Sequence, residues 1–118
     1  MAKEGTTRHA SETQENRIVK KFGGRRTSNS GAGHFDKSDV VIKELSMSIE
    51  CKTCVTPKDS ISIKKEWLDK HKKEAMSNRL YNQVLAFNFD YTDEKDYYII
   101  DDKLMRILVE ALASDEFE

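Results

Sequence analysis

Between residues 39 and 52 the chain reads Asp-Val-Val-Ile-Lys-Glu-Leu and, after Ser46, Met-Ser-Ile-Glu-Cys-Lys. β-branched residues dominate the first segment and apolar residues alternate with polar ones in the second, which predicts two strands, 39–45 and 47–52, joined by a tight connection. The unbroken apolar run Val40-Val41-Ile42 implies burial on both faces of the first strand. A free hairpin offers no such cover, so the stretch asks for a sheet with other elements packed on each side. Residues i and i+2 of a strand share a face, which sets Glu50 and Lys52 together, with Asp39 at the start of the neighbouring strand.

Helical patterns on either side supply the cover. Ser11 begins a run in which it reads as an N-cap and Gln14, three residues on, as the second half of a capping box. Ile18, Val19 and Phe22 form the apolar side, and Gly23-Gly24 ends this first helix, 11–22. Residues 25–34 are basic at the start and rich in Ser and Gly, the composition of a mobile loop. Ile61 and Ile63 mark a short extended link, and Trp67, Leu68, His71, Ala75 and Met76 recur at helical spacing within 64–80. Val84–Phe89 and Tyr97–Ile100 read as a hairpin about the charged turn 90–96. Asp101 or Asp102 then caps a last helix with Leu104, Ile107, Leu108, Ala111 and Leu112 on one face. The expectation is a single α/β domain over residues 1–118, a mixed β-sheet flanked by helices in the order α-β-β-(β)-α-β-β-α, with a frayed, polar 1–10 and an acidic tail, 114–118.

Charge divides the chain. Residues 1–80 hold 17 Lys and Arg against 11 Asp and Glu, whereas residues 81–118 hold 3 against 10. A basic surface on the first two-thirds is therefore available to nucleic acid even though the whole chain carries a formal charge of −1; two ordinary solvated faces would give the same counts. No stretch of about 18 apolar residues occurs and the start, Met-Ala-Lys-Glu-Gly, has no hydrophobic signal region, so the chain is expected in the cytoplasm without a membrane partner. Cys51 and Cys54 form a Cys-x-x-Cys, but two thiolates are half of a tetrahedral zinc site and His9, His34 and His71 lack paired ligand spacing. The reading for the cysteines is a buried strand-end Cys51 and an incidental Cys54.

The acids and Lys52 point to chemistry. Hard carboxylate oxygens from Asp39 and Glu50 suit Mg²⁺, and an ammonium two residues along suits the orientation of water or the neutralisation of charge on a phosphate. Glu15 lies beside the apolar stripe of the first helix, three residues before Ile18 and four before Val19, and is a better candidate than Glu12 for a partly buried acid. The competing readings are a solvated first-turn Glu15 and, for Asp39 and the Glu50-x-Lys52 pair, a surface hairpin with a cross-strand ion pair.

Glu15-Asn16-Arg17 on a helix, a Ser/Gly loop, Ser38-Asp39-Val40 and Ile49-Glu50-Cys51-Lys52 together resemble the PD-(D/E)XK nuclease superfamily. Within it they are most similar to the small archaeal-type Holliday junction resolvases, over about residues 11–112. The resemblance implies a restriction-endonuclease-like fold and a Mg²⁺-dependent endonuclease, with Mn²⁺ able to substitute, that cuts four-way DNA junctions as a homodimer. It implies catalytic roles for Glu15, Asp39, Glu50, Lys52 and Ser30, with Ser28 the other loop serine in question. Metal contacts would come from Asp39, Glu50, Glu15 and the backbone carbonyl of Cys51. Ser38 stands where the superfamily often has Pro. Arg17, Arg25, Arg26, Lys64 and Lys65 flank these positions and are the expected DNA contacts, while Trp67 and the Phe87/Phe89 pair read as core or subunit-interface residues. Small size suggests a phage or mobile-element enzyme acting in the host cytoplasm. Two other functions fit the same pattern: a nuclease of this fold for flaps, ends or a specific duplex, and an inactive DNA-binding module.

Overall fold

The computed structural model describes residues 3, 5–27 and 39–114, and at position 39 the backbone alone. The expected loop serines Ser28 and Ser30, together with His34, Ser38 and the 115–118 tail, lie outside the described residues.

Helix α1 spans Thr7–Phe22. It starts four residues earlier than the capping-box pattern indicated, because the Thr6 hydroxyl accepts from the His9 amide at 3.1 Å and caps the helix there, leaving Ser11 inside it. It stops where expected: Gly23 takes φ 86° and its N–H returns to the Val19 carbonyl at 2.8 Å.

Arg25–Arg26 then form β1, a two-residue edge strand, and not the start of a loop. β2 is Asp39–Ile42, β3 Met47–Lys52, β4 Asn82–Phe87 and β5 Tyr97–Ile99, in the sheet order β1-β2-β3-β4-β5. All neighbours are antiparallel except β3 and β4. A parallel pair needs a crossover, and α2, Lys65–Ser77, lies within it. β2 ends three residues short of the predicted strand, since Lys43–Leu45 turn as a 3₁₀ helix and Ser46 reverses the chain in the left-handed region at φ 50°. The Ser46 hydroxyl donates to the Arg79 carbonyl at 2.9 Å and accepts from the Tyr81 amide at 3.0 Å, which ties that reversal to the entry of β4.

Both faces of the sheet are covered, as the Val40-Val41-Ile42 run requires. Ile18 of α1 meets Val40, Ile42, Ile49, Val84 and Ala86 on one face, with Leu104 of α3, Asp102–Ala113, at the margin. On the other, Ser48 of β3 donates to or accepts from His71 of α2 at 2.9 Å, both groups being buried, with Val41 and Leu85 filling the same layer. The result is an α/β chain with an open, mixed five-stranded sheet and three α-helices among the described residues. Among these residues no helix is long and apolar enough to cross a membrane.

Candidate functional site

The ladder between β2 and β3 closes on the pair Asp39 and Glu50, so β3 runs on through Cys51 and Lys52 with no β2 partner among the described residues. Directly opposed positions of an antiparallel pair share a face, and Lys52 shares it with Glu50. The strand register therefore brings 39, 50 and 52 to one face where the sheet opens, as the Glu-x-Lys pattern anticipated. Lys52 Nζ sits 3.4 Å from Glu50 Oε2 and 4.4 Å from the centroid of the Trp67 ring on α2. Carboxylate on one side and π-face on the other hold the ammonium in place. Trp67 is thus a half-buried neighbour of Lys52 rather than a core residue.

Glu15 comes from α1, the helix that packs on the opposite face of the sheet, and it is only 1% exposed. Its Oε1 accepts from Arg26 Nε at 2.9 Å, across from the edge strand β1. Its Oε2 is buried with no hydrogen-bond partner. Among the described residues no hydrogen bond or ion pair links Glu15 to Glu50 or Lys52; they are joined instead through its neighbour Gln14, whose Nε2 donates to the Lys52 carbonyl at 3.0 Å. Glu15 and the Glu50–Lys52 pair thus belong to opposite faces of the sheet, linked through the Gln14 bond to the end of β3.

Gln14 belongs to a buried polar cluster that sequence reading missed. It also donates to Asp96 Oδ1 at 3.2 Å, and Asn88 Nδ2 does so at 3.0 Å. Arg17 closes on the same carboxylate with two bonds, Nε to Oδ2 at 2.8 Å and Nη2 to Oδ1 at 2.9 Å, and donates a third to the Tyr91 carbonyl. Burial alone would raise the Asp96 carboxyl, but the bonds from Arg17, Asn88 and Gln14 outweigh it and hold it below its ordinary value. The hydrogen bond to Asp96 likewise raises Arg17, against the opposing effect of burial. Gln14 falls midway between the buried Ala10 and Ile18 at four-residue spacing. A polar residue on that stripe was the available signal.

Arg17 is accordingly corrected: its side chain is 9% exposed and its guanidinium is committed to the fold, so it is not a free phosphate contact. Arg25, Arg26, Lys64 and Lys65 are all exposed. Arg26 is engaged with Glu15, and Lys65 with Asp69 at 2.7 Å, whereas Lys64 Nζ lies 5.9 Å from the Trp67 ring. Cys51 and Cys54 are half-buried and form no disulfide. Cys51 packs against the core, and burial raises the Cys54 thiol, which disfavours the thiolate that metal binding or redox work needs.

Among the described residues no three His, Cys, Asp or Glu groups cluster tightly enough to hold a metal, a set that does not include the Asp39 side chain. The donors nevertheless suit a hard cation: carboxylates only, one of them with a buried oxygen lacking any partner. The chain matches no protein-family model, no curated protein and no solved structure.

Proposed function

We propose that this chain is a metal-dependent, structure-specific DNA endonuclease of the PD-(D/E)XK kind, resolving four-way junctions as a pair of copies. One observation carries the reading: the register that opposes Asp39 to Glu50 and sets Lys52 two residues on, where the β2 ladder stops. Asp39 and Glu50 would hold Mg²⁺, with the Cys51 carbonyl and the unpartnered oxygen of Glu15 as further donors. Bound there, the ion supplies polarisation of a phosphoryl oxygen and a more acidic water.

The protein's own groups do the rest. Glu50 and Trp67 hold Lys52 as a fixed positive charge to meet the phosphate or orient water. Gln14 anchors the backbone of Lys52 from behind the strand. Lys64, beside Trp67, and the exposed Arg25 on β1 offer phosphate contacts, with Arg26 divided between Glu15 and solvent.

The test is cleavage of a four-way junction, a flap and a linear duplex, each with Mg²⁺ and with EDTA. Symmetric nicks near the branch, dependent on Mg²⁺ and reduced at least about a hundredfold in Asp39→Asn and in Glu50→Gln, are expected. Unchanged cleavage by either variant overturns the reading, and preferred cutting of flaps or ends moves the substrate. The Glu50–Lys52 ion pair favours a second reading, a DNA-binding module of the same kind without catalysis. Calorimetry in which DNA binds but neither Mg²⁺ nor Mn²⁺ does would select it.

A further inference from the structure

No residue of α3 is buried. Met105, Leu108, Val109 and Leu112 are 50%, 45%, 51% and 65% exposed, and the face expected from sequence to enter the core does so only in part, with Leu104 at its edge and Ile107 left 53% exposed. Those four residues follow the i, i+3, i+4, i+7 spacing of a seam that packs against another helix. A continuous apolar strip left exposed on a helix and bordered by charge along one side marks an interaction surface.

Two observations indicate what covers it. Besides Met1, the segments outside the described residues hold only Phe35 and Phe117 as large apolar side chains, fewer than the strip itself exposes, and β1 and β2, the strands that 28–38 connect, form the far edge of the sheet from β5 and the helix that leaves it. The second is charge. After the first turn the helix carries only Arg106 and Glu110, one turn apart on the same side of the strip, and neither makes an ion pair among the described residues. An antiparallel copy related by a two-fold axis beside Leu108 sets each Arg106 against the other copy's Glu110, whereas a parallel two-fold copy carries them to opposite rims where they cannot meet.

We infer that α3 is the surface through which two copies of this chain pair, antiparallel about a two-fold axis, with Met105, Leu108, Val109 and Leu112 interleaved and two Arg106–Glu110 pairs along one rim. This names the surface for the two-copy state proposed above but takes nothing from the nuclease chemistry, so a failed cleavage assay leaves it standing.

Sedimentation equilibrium of the full chain over micromolar concentrations tests it. The unaltered chain is expected to be a dimer. Arg106→Glu and Glu110→Arg should each raise the dimer Kd about tenfold or more, the double variant should return it to near the starting value, and Leu108→Arg should give monomer with unchanged circular dichroism. Because the double variant contains both substitutions, its recovery separates lost pairing from misfolding. A monomeric unaltered chain, single variants that dimerise normally, or a double variant that does not recover would overturn the inference.

Discussion

Gly24 sits where α1 gives way to β1, at φ 84°, and a Cβ there would overlap the Val41 carbonyl oxygen and crowd the Ile42 side chain. Gly23 has nearly the same φ, 86°, but open space around it. The pair separates two costs that glycine avoids, left-handed backbone strain alone and strain plus a clash with the sheet. Urea unfolding should show Gly23→Ala losing about 1 kcal/mol and Gly24→Ala losing at least twice as much, because a backbone oxygen on the next strand cannot move aside as a side chain does. At the candidate site the same scale of detail matters. Glu50 and Lys52 were legible as an i, i+2 pair, but nothing in the sequence marked the Trp67 ring that flanks the ammonium, which arrives on α2 fifteen residues later.

Helix α1 is fastened to the strands at its polar positions as well as its apolar ones. Arg17 and Gln14 grip Asp96, just before β5, while Gln14 also holds the end of β3. This buried cluster fixes the helix that carries Glu15 with respect to the strand that carries Glu50 and Lys52. Removing the carboxylate charge in Asp96→Asn leaves Arg17 buried without its counter-charge and should destabilise by about 3–5 kcal/mol. The pH dependence follows from the lowered Asp96 carboxyl. A group with a depressed native pKa stabilises fully above its unfolded value, about 3.9, and loses that contribution as pH falls through the native value. Thermal melts of the unaltered chain should therefore drop on acidification below about pH 4, and Asp96→Asn, already destabilised, should show a smaller acid-dependent drop.

Across the molecule, the basic first two-thirds and the acidic last third meet in part inside the fold. Arg17 pairs with Asp96, and Lys21 Nζ donates to the Glu94 carbonyl at 3.1 Å. Some of the charge that suggested a nucleic-acid surface is thereby used to hold the acidic 90–96 turn against α1, leaving Arg25, Lys64 and the outer face of α2 among the exposed basic groups. If α3 pairs two copies, folding and association are linked, and the melting temperature should rise with protein concentration. That rise should vanish in Leu108→Arg, a comparison calorimetry can make directly.

Local patterns determined much of this protein from the sequence: the buried β2 run, the β3 alternation, the Gly23 helix stop, an Asp cap of α3 at 101 or 102, and a preference for Glu15 over Glu12 as the partly buried acid of α1. Each rests on short-range periodicity, capping or turn chemistry, which neighbouring residues specify among themselves. Tertiary structure alone decided the β1 edge strand, the parallel β3–β4 pairing, the union of Gln14, Arg17, Asn88 and Asp96, and the exposure of α3. These depend on partners far along the chain. A polar residue on a helix stripe reads as a flaw until a distant carboxylate is brought to it, and an apolar helix face reads as core until the sheet proves too narrow to cover it.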